Sequence, residues 1–275
     1  MKKRSLFQRM AAAPHIVWAI LFILAPMIFV LYFALTDAEG HFSFSNFVSL
    51  SQYSNVFILS IAFALIATVI CLLIGYPLAY FMAKSKPKTQ KILLVLIMLP
   101  MWCNLLIRTY ALMALLDNGG LLNSFLESIG LNKLHIVGSN IGVILGMIYD
   151  FLPYMVLPIF TVMSKLDKRY LEASADLGCN GFQTMTKVVM PLSISGVISG
   201  VTMVFVPSIS TFYISQKLGG GTFELIGDTI ERQFQNPLTY NVGAAISLVM
   251  MILLLISVAV MNHFADDDAE GRILP

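Results

Sequence analysis

Two ionisable side chains, Arg108 and Asp150, lie deep inside long apolar runs of the chain. An ionisable group in an apolar environment is costly, so such groups pair with one another or serve a function there. The run with Arg108 ends just before the polar segment 117–140, and the run with Asp150 begins just after it. At a helical rise of about 1.5 Å per residue, each residue lies about 12–14 Å from the end of its run that adjoins this segment. Two interpretations are therefore open: Arg108 and Asp150 form an ion pair, or Asp150 binds a cation.

A second candidate group follows the fourth apolar run, in the polar segment 164–187. Apolar or small residues recur there at spacings of four, three and four, which predicts one helical stripe: Leu166, Tyr170, Ala173 and Leu177. Ser164 is expected to cap this helix, with Asp167 as its third residue, and Gly178 is expected to end it. The small residues 173–175 and the carboxylate of Glu172 would suit the helix to a groove on another protein.

The elements that must position these residues are membrane helices. The chain has 275 residues, of which 58% are hydrophobic and 12% charged, about half the charge of a typical soluble domain. Six apolar runs are long enough to cross a bilayer, for which about 20 residues suffice: 16–35, 56–82, 92–116, 141–163, 188–214 and 242–264. We therefore predict one all-α integral membrane domain over 1–275, with six transmembrane helices. The first run exceeds a signal-peptide core and no A-x-A site follows it, so a retained span is expected.

The distribution of basic residues predicts the orientation. Segments 1–15, 83–91, 164–187 and 265–275 carry 13 of the 17 Lys and Arg residues. The segments on the opposite side, 36–55, 117–140 and 215–241, carry 3. Cytoplasmic loops are enriched in Lys and Arg. Both termini and the loop 164–187 are therefore expected in the cytoplasm. The net charge of +2 gives no indication of a nucleic-acid partner.

The segment 215–241 is then an external loop. It contains three consecutive glycines, 219–221, and afterwards a stripe at Leu225, Ile226, Ile230 and Phe234. This spacing predicts a short amphipathic helix. Such a helix would cover the pore or contact a partner, or it would be a structural cap.

The residues of the polar loop resemble a known family. The sequence Glu172-Ala173-Ser174-Ala175-Asp176-Leu177-Gly178, followed after nine residues by Val188-Val189-Met190-Pro191, resembles the Glu-Ala-Ala loop of permease subunits of bacterial ATP-driven (ABC) importers. Segments 150–158 and 165–168, with Phe212-Tyr213-Ile214-Ser215, are similar to the permeases of spermidine/putrescine importers. Ser174, Val188 and Met190 depart from the family pattern but conserve size.

The resemblance implies a type I ABC importer permease fold in a bacterial inner membrane. The implied partners are a second homologous permease, a dimer of cytoplasmic ATPases and an external solute-binding protein, with a polyamine as substrate. ATP and Mg²⁺ would be bound by the ATPase, and no cofactor by this chain. The residues implied in ATPase coupling are Tyr170, Leu171, Glu172, Ala173, Ser174, Asp176, Leu177 and Gly178. The alternative is a permease of the same fold for another solute, such as sulfate, iron or a sugar.

A polyamine is a flexible polycation, which carboxylates and aromatic faces attract. The candidates for a substrate path are Asp150, Tyr154, Trp102, Tyr110 and Arg108, and each aromatic ring is alternatively a packing residue. An unpaired Arg108 facing the path would repel the substrate, so a partner or an outward orientation is expected for it.

The sequence gives no support for an enzyme. It contains no G-x-x-x-x-G-K-[ST], no H-E-x-x-H and no G-x-S-x-G, the patterns of nucleotide binding, metalloproteolysis and serine hydrolysis. The 3 cysteines and 4 histidines have no metal-ligand spacing. A transporter driven by an ion gradient would be expected to carry more intramembrane carboxylates than Asp150. Energy is therefore expected to come from a partner chain.

Overall fold

A computed structural model describes residues 14–37 and 39–270, of which residues 264–270 are described by their backbone alone. Within these ranges the regular elements are helices, apart from an isolated bridge between Thr36 and Phe42. The helices are α1 Pro14–Ala34, α2 Ser45–Ser49, α3 Ser54–Lys84, α4 Pro87–Trp102, α5 Leu105–Leu116, α6 Leu121–Ser128, α7 Asn140–Met163, α8 Lys168–Asp176, α9 Gly181–Leu192, α10 Ile194–Ser210, α11 Tyr213–Leu218, α12 Ile226–Gln235 and α13 Tyr240–Glu270. Of the predicted cytoplasmic terminal segments, 1–15 and 265–275, residues 1–13 and 271–275 lie outside the described residues.

The described residues include five helical stretches long and apolar enough to cross a membrane, one of them formed by α5 together with α6, and a sixth span if the bent pair α9 and α10 counts as one. The all-α membrane fold predicted from the apolar runs is thus confirmed. The contacts divide the chain into two compact units, 1–55 with 229–253 and 56–228 with 254–275. The assignment of the whole chain to one domain stays a prediction.

The third predicted span is not a single helix. The run 92–116 is divided between α4 and α5, because Cys103 and Asn104 have extended backbone with ψ of 147° and 135°. Pro100 has no backbone N–H to continue the helical ladder. The Asn104 side chain accepts a hydrogen bond of 2.8 Å from the N–H of Leu106 and so caps α5. The polar residue inside this apolar run begins a new helix.

The fifth predicted span, 188–214, is also different in the structure. Its helix begins earlier, at Gly181, and bends by 72° between α9 and α10. The bend lies at Ser193, whose backbone leaves helical geometry with φ −107° and ψ 6°. The hydroxyl of Ser193 lies 3.0 Å from the Tyr76 hydroxyl, a buried contact to α3. The chain then leaves the helix at Thr211, short of the predicted end.

The smaller unit is assembled around the end of α1 and the first part of α13. Its core is Ala34, Ala244 and Ala245, with Phe33 and Phe234 packed against them. Two amide side chains satisfy a backbone carbonyl just after the end of α1. Asn46 and Asn241 both donate to the carbonyl of Thr36, at 2.8 and 2.7 Å.

The larger unit is centred on α7. This helix buries Met147, Asp150, Met155, Val156 and Ile159 completely. It packs closely against α10 because two glycines of α10 lie at the contact. A Cβ added to Gly200 would lie 2.8 Å from the sulfur of Met155, and one added to Gly196 would lie 3.0 Å from the carbonyl oxygen of Pro158. Small residues are what allow membrane helices to approach this closely.

The amphipathic helix predicted in segment 215–241 is present as α12. Leu225 and Ile226 of its stripe are fully buried. The side chain of Asp228 accepts from the N–H of Leu225 at 2.9 Å, and Ser60 of α3 accepts from the N–H of Ile226 at 2.7 Å. The beginning of this helix is thereby fixed to the larger unit.

Candidate functional site

The helix in the polar loop, α8, begins three residues later than predicted. Asp167 is its N-cap and accepts from the N–H of Arg169 at 3.0 Å. Ser164 instead ends α7, where its hydroxyl donates to the carbonyl of Thr161 at 3.1 Å. The predicted cap at Ser164 is therefore wrong, because Ser164 is the C-cap of α7 and its hydroxyl donates to that helix.

The end of α8 is as predicted. Gly178 has φ +78°, a left-handed conformation that glycine adopts without a steric penalty. The N–H groups of Leu177 and Cys179 donate back to the carbonyls of Ala173 and Ser174, at 3.1 and 3.0 Å. Asn180 then caps α9 at once, in a reciprocal pair of hydrogen bonds with Gln183. Two helix ends therefore meet within a few residues, which fixes α8 against α9.

One face of α8 packs against the chain itself. Leu166 and Leu171 lie against the core of the larger unit, and Ser174 is buried. The Ser174 hydroxyl donates to the carbonyl of Leu171 at 2.9 Å and lies 3.0 Å from the hydroxyl of Thr184 in α9. Leu171 and Ser174, both predicted in coupling, thus face inward in this chain.

The opposite face of α8 is exposed and partly apolar. Tyr170 is 54% exposed and Leu177 84% exposed. Ala173, Glu172 and Asp176 are exposed as well. Phe182, in the first turn of α9, is 71% exposed as well. Phe182 was not among the residues predicted in coupling, and its position one turn after the predicted end of the helix at Gly178 was its only signal in the sequence.

Glu172 also borders a cavity of about 390 Å³ between α8 and the adjoining ends of α3, α4 and α7. The cavity is lined on its other sides by Tyr80, Lys84, Gln90 and Lys168, among others. The Lys84 ammonium lies 4.7 Å from the centre of the Tyr80 ring. Glu172 thus shares the lining of this cavity with two lysines, Lys84 and Lys168.

The two charged residues within the spans are brought together. The Nε atom of Arg108 in α5 lies 3.3 Å from Oδ1 of Asp150 in α7, and the two side chains are 8% and 0% exposed. Thr109 donates to the other carboxylate oxygen of Asp150 at 3.3 Å. The ion pair, one of the two interpretations of these residues, is thus what the structure contains. Thr109 was not among the predicted residues.

The aromatic candidates do not converge on this pair. Trp102 is 75% exposed at the end of α4. Tyr154 is half-buried, with its ring centre 6.3 Å from that of Phe151. Tyr110 is 47% exposed and its ring meets that of Tyr213 edge-on at 5.9 Å. A role of these residues in a substrate path stays a prediction. Among the described residues, no group of three or more His, Cys, Asp or Glu side chains is placed to hold a metal ion.

These features belong to a known class of membrane protein. Residues 75–267 match the family of the binding-protein-dependent transport system inner membrane component. The matched region contains α8, the ion pair and most of the membrane helices. Since it covers more than half of the chain, the protein belongs to this family.

Several relatives are similar to the chain, two of them over about nine-tenths of their own length. The spermidine/putrescine transport system permease protein PotB of Haemophilus influenzae is 36% identical over 258 residues, which cover 90% of each chain. PotB of Escherichia coli strain K12 is 37% identical, over 86% of this chain and 90% of the relative. A PotB homolog of Mycoplasma genitalium is 32% identical over 74% of this chain.

Solved structures share the fold. A chain in the crystal structure of a bacterial ABC transporter involved in the import of the acidic polysaccharide alginate has a TM-score of 0.76. It is 20% identical, and the match covers 98% of this chain and 96% of that chain. The protein is therefore a multi-pass membrane protein with an ABC importer permease fold.

Proposed function

We propose that this chain is the membrane permease subunit of an ATP-driven importer of polyamines, forming half of the translocation path. The observation that carries the proposal is the 36–37% identity, over about nine-tenths of both chains, to spermidine/putrescine permeases. The same fold occurs in an importer of an acidic polysaccharide, so the fold alone does not select a solute. A permease for another solute is the second candidate.

The other functions of the transporter, namely ATP binding and delivery of the substrate, are proposed to belong to partner chains. A second homologous permease completes the path, two cytoplasmic ATPases bind ATP and Mg²⁺, and an external protein delivers the substrate. This chain binds no cofactor and catalyses no reaction. It lies in a bacterial inner membrane with both termini in the cytoplasm, in keeping with the 13 to 3 distribution of its basic residues.

The ATPase is proposed to dock on the exposed face of α8, at Tyr170, Ala173 and Leu177. Glu172 supplies a charge at the edge of this face. The inner face of α8 is joined to α9 by the contact between Ser174 and Thr184. A displacement of α8 by the ATPase is therefore transmitted to α9, and from there to the bend before α10. This is how nucleotide-driven motion would reach the spans.

Within the spans, the pairing of Arg108 with Asp150 has a consequence for a cationic substrate. An unpaired arginine beside the path would repel ammonium groups. Because the carboxylate of Asp150 lies 3.3 Å from Arg108, the two charges largely cancel at a distance. The pair thus permits a polycation to pass without strong repulsion.

The test uses cells that carry the whole transporter, with labelled spermidine as the substrate. We expect ATP-dependent uptake that unlabelled putrescine inhibits and that sulfate, iron and sugars leave unchanged. Inhibition by one of those solutes, with none by putrescine, would favour the second candidate.

The docking proposal is tested in the same cells with Glu172→Arg. We expect the variant to reach the membrane at the wild-type level, to lose copurification of the ATPase and to take up spermidine at least tenfold more slowly. Lys165→Gln changes a neighbouring exposed charge outside α8 and is expected to behave like the wild type. Normal uptake by the Glu172→Arg transporter would refute the docking of the ATPase on α8.

A further inference from the structure

Two tyrosines and a lysine of the larger unit form a cluster outside the Arg108–Asp150 pair. The ring centres of Tyr110 in α5 and Tyr213 in α11 are 5.9 Å apart, with the ring planes at 80°. The Nζ atom of Lys217, one turn after Tyr213, lies 5.3 Å from the centre of the Tyr110 ring and 5.7 Å from that of Tyr213. The ammonium group is thus shared between two aromatic rings.

This arrangement has the chemistry of an ammonium-binding site. Aromatic faces carry a negative potential that attracts cations within about 6 Å of the ring centre. Both rings satisfy this distance for the same nitrogen, and the occupant already shows which chemical group the site accepts. Tyr110 is 47% exposed, while Tyr213 and Lys217 are half-buried. The site is therefore open to a group that comes from outside the chain.

The position of the cluster connects it with the membrane helices. Tyr110 follows the buried Arg108 by two residues on α5, and α11 packs against both α5 and α7. Because two residues of a helix are about 200° apart around its axis, Tyr110 points away from the ion pair. The rings thus offer a cation-attracting surface on a different side of α5 from the ion pair.

We propose that Tyr110 and Tyr213 bind an ammonium group of the transported polyamine, and that Lys217 occupies this site when no substrate is present. The inference rests on the proposed function, because it assigns a site for the substrate of that importer. The lysine is a tethered cation that keeps the site filled and that a substrate amine displaces.

The exchange is nearly balanced in energy, since one ammonium group replaces another on the same two rings. A polyamine carries further ammonium groups that stay free to contact the next site, whereas Lys217 carries one. The displacement therefore favours polyamines over solutes with a single amine. It also prevents the site from holding a substrate too tightly to release it.

The direct test follows the reactivity of the Lys217 amine in the purified full chain. An amine-acylating reagent labels exposed lysines, and mass spectrometry resolves each site. The probe is hexamethonium, a dication with two quaternary ammonium groups that cannot react with the reagent. We expect hexamethonium to increase the labelling rate of Lys217 by about threefold to tenfold, since the lysine loses its contact with the rings. Lys133, an exposed lysine paired with Glu127 at 3.0 Å, serves as the internal control and is expected to stay unchanged.

Unchanged or decreased labelling of Lys217 in the wild-type chain would overturn the proposal without any variant. In the double variant Tyr110→Leu/Tyr213→Leu, Lys217 is expected to react rapidly from the start and to show no response to hexamethonium. The double variant Tyr110→Phe/Tyr213→Phe keeps both rings and is expected to retain the response.

The role in transport is tested separately, by uptake of labelled spermidine in cells with the whole transporter at matched membrane levels. We expect the Leu double variant to take up spermidine at least tenfold more slowly and the Phe double variant to stay near the wild-type rate. Equal uptake by all three would refute the substrate role of the rings. No uptake by the wild type would refute the proposed polyamine function, while the labelling experiment would still decide on the ammonium site.

Discussion

Arg108 and Asp150 show why a buried charge needs its partner. The two side chains are 8% and 0% exposed, so neither is solvated by water. Removing one partner leaves an uncompensated charge, which in buried sites costs about 3–5 kcal/mol, whereas replacing both by apolar groups is often close to neutral. The pair therefore behaves as one unit.

We expect Arg108→Met to lower the free energy of unfolding by about 3–5 kcal/mol. The double variant Arg108→Met/Asp150→Leu should regain most of that loss, since no unpaired charge remains. Thermal unfolding of the purified chain in detergent provides the measurement. Lys133→Met breaks an exposed pair, with side chains 42% and 55% exposed, and should change stability by less than about 1 kcal/mol. Equal effects of the two single substitutions would contradict the assignment of a buried pair.

At the scale of elements, the contact between α7 and α10 depends on glycine. Gly196 and Gly200 are one turn apart on α10, and both face α7 without room for a side chain. The same contact lies next to the bend at Ser193. Close packing of α10 after the bend and the hydroxyl contact of Ser193 with Tyr76 at the bend fix the angle of α10.

A side chain at Gly200 should therefore be destabilising. The Cβ of Gly200→Val would lie 3.0 Å from the carbonyl oxygen of Met155, a backbone atom that cannot move aside alone. Overpacking of this kind costs about 1–3 kcal/mol, measured as a lower melting temperature of the purified chain. Gly119→Val has nothing within 4 Å of its new Cβ and should melt like the wild type. A stable Gly200→Val chain would show that α7 and α10 are not in tight contact.

The elements that could be predicted from the sequence are those with signals spread over many residues. Apolar runs identified the membrane helices, and a periodic stripe with a terminal glycine identified α8. The break between α4 and α5 coincides with Pro100 and Asn104, two residues within a long and mostly apolar run. The cap of α8 was assigned to Ser164 because sequence does not show which of two adjacent helices uses a hydroxyl.

At the scale of the whole molecule, the contacts between distant segments were the least predictable. The depth of Arg108 and Asp150 allowed them to be paired, because the rise per residue of a helix is fixed. No such rule brings Lys217 to the ring of Tyr110, since the two residues lie in separate helices with their own rotation. Contacts of this kind depend on how helices pack, which needs the three-dimensional structure.

The orientation of the whole chain can be measured with two cysteine substitutions in a chain lacking Cys71, Cys103 and Cys179. When the chain is expressed without the ATPase, Leu177→Cys, at an 84% exposed position, should react with a membrane-impermeant maleimide in inside-out vesicles and remain unlabelled in spheroplasts. Leu131→Cys, 56% exposed between α6 and α7, should show the reverse. Labelling of residue 177 from outside would overturn both the orientation and the proposed ATPase contact.

The apolar side chains exposed at the turn between α8 and α9 have a consequence for the cell. Leu177 and Phe182 are 84% and 71% exposed, and apolar surface left open to water is prone to self-association. On the proposed docking, copies made in excess of the ATPase would leave this apolar patch uncovered. Balanced synthesis of the subunits, or rapid proteolysis of orphan copies, would then keep the uncovered patch scarce.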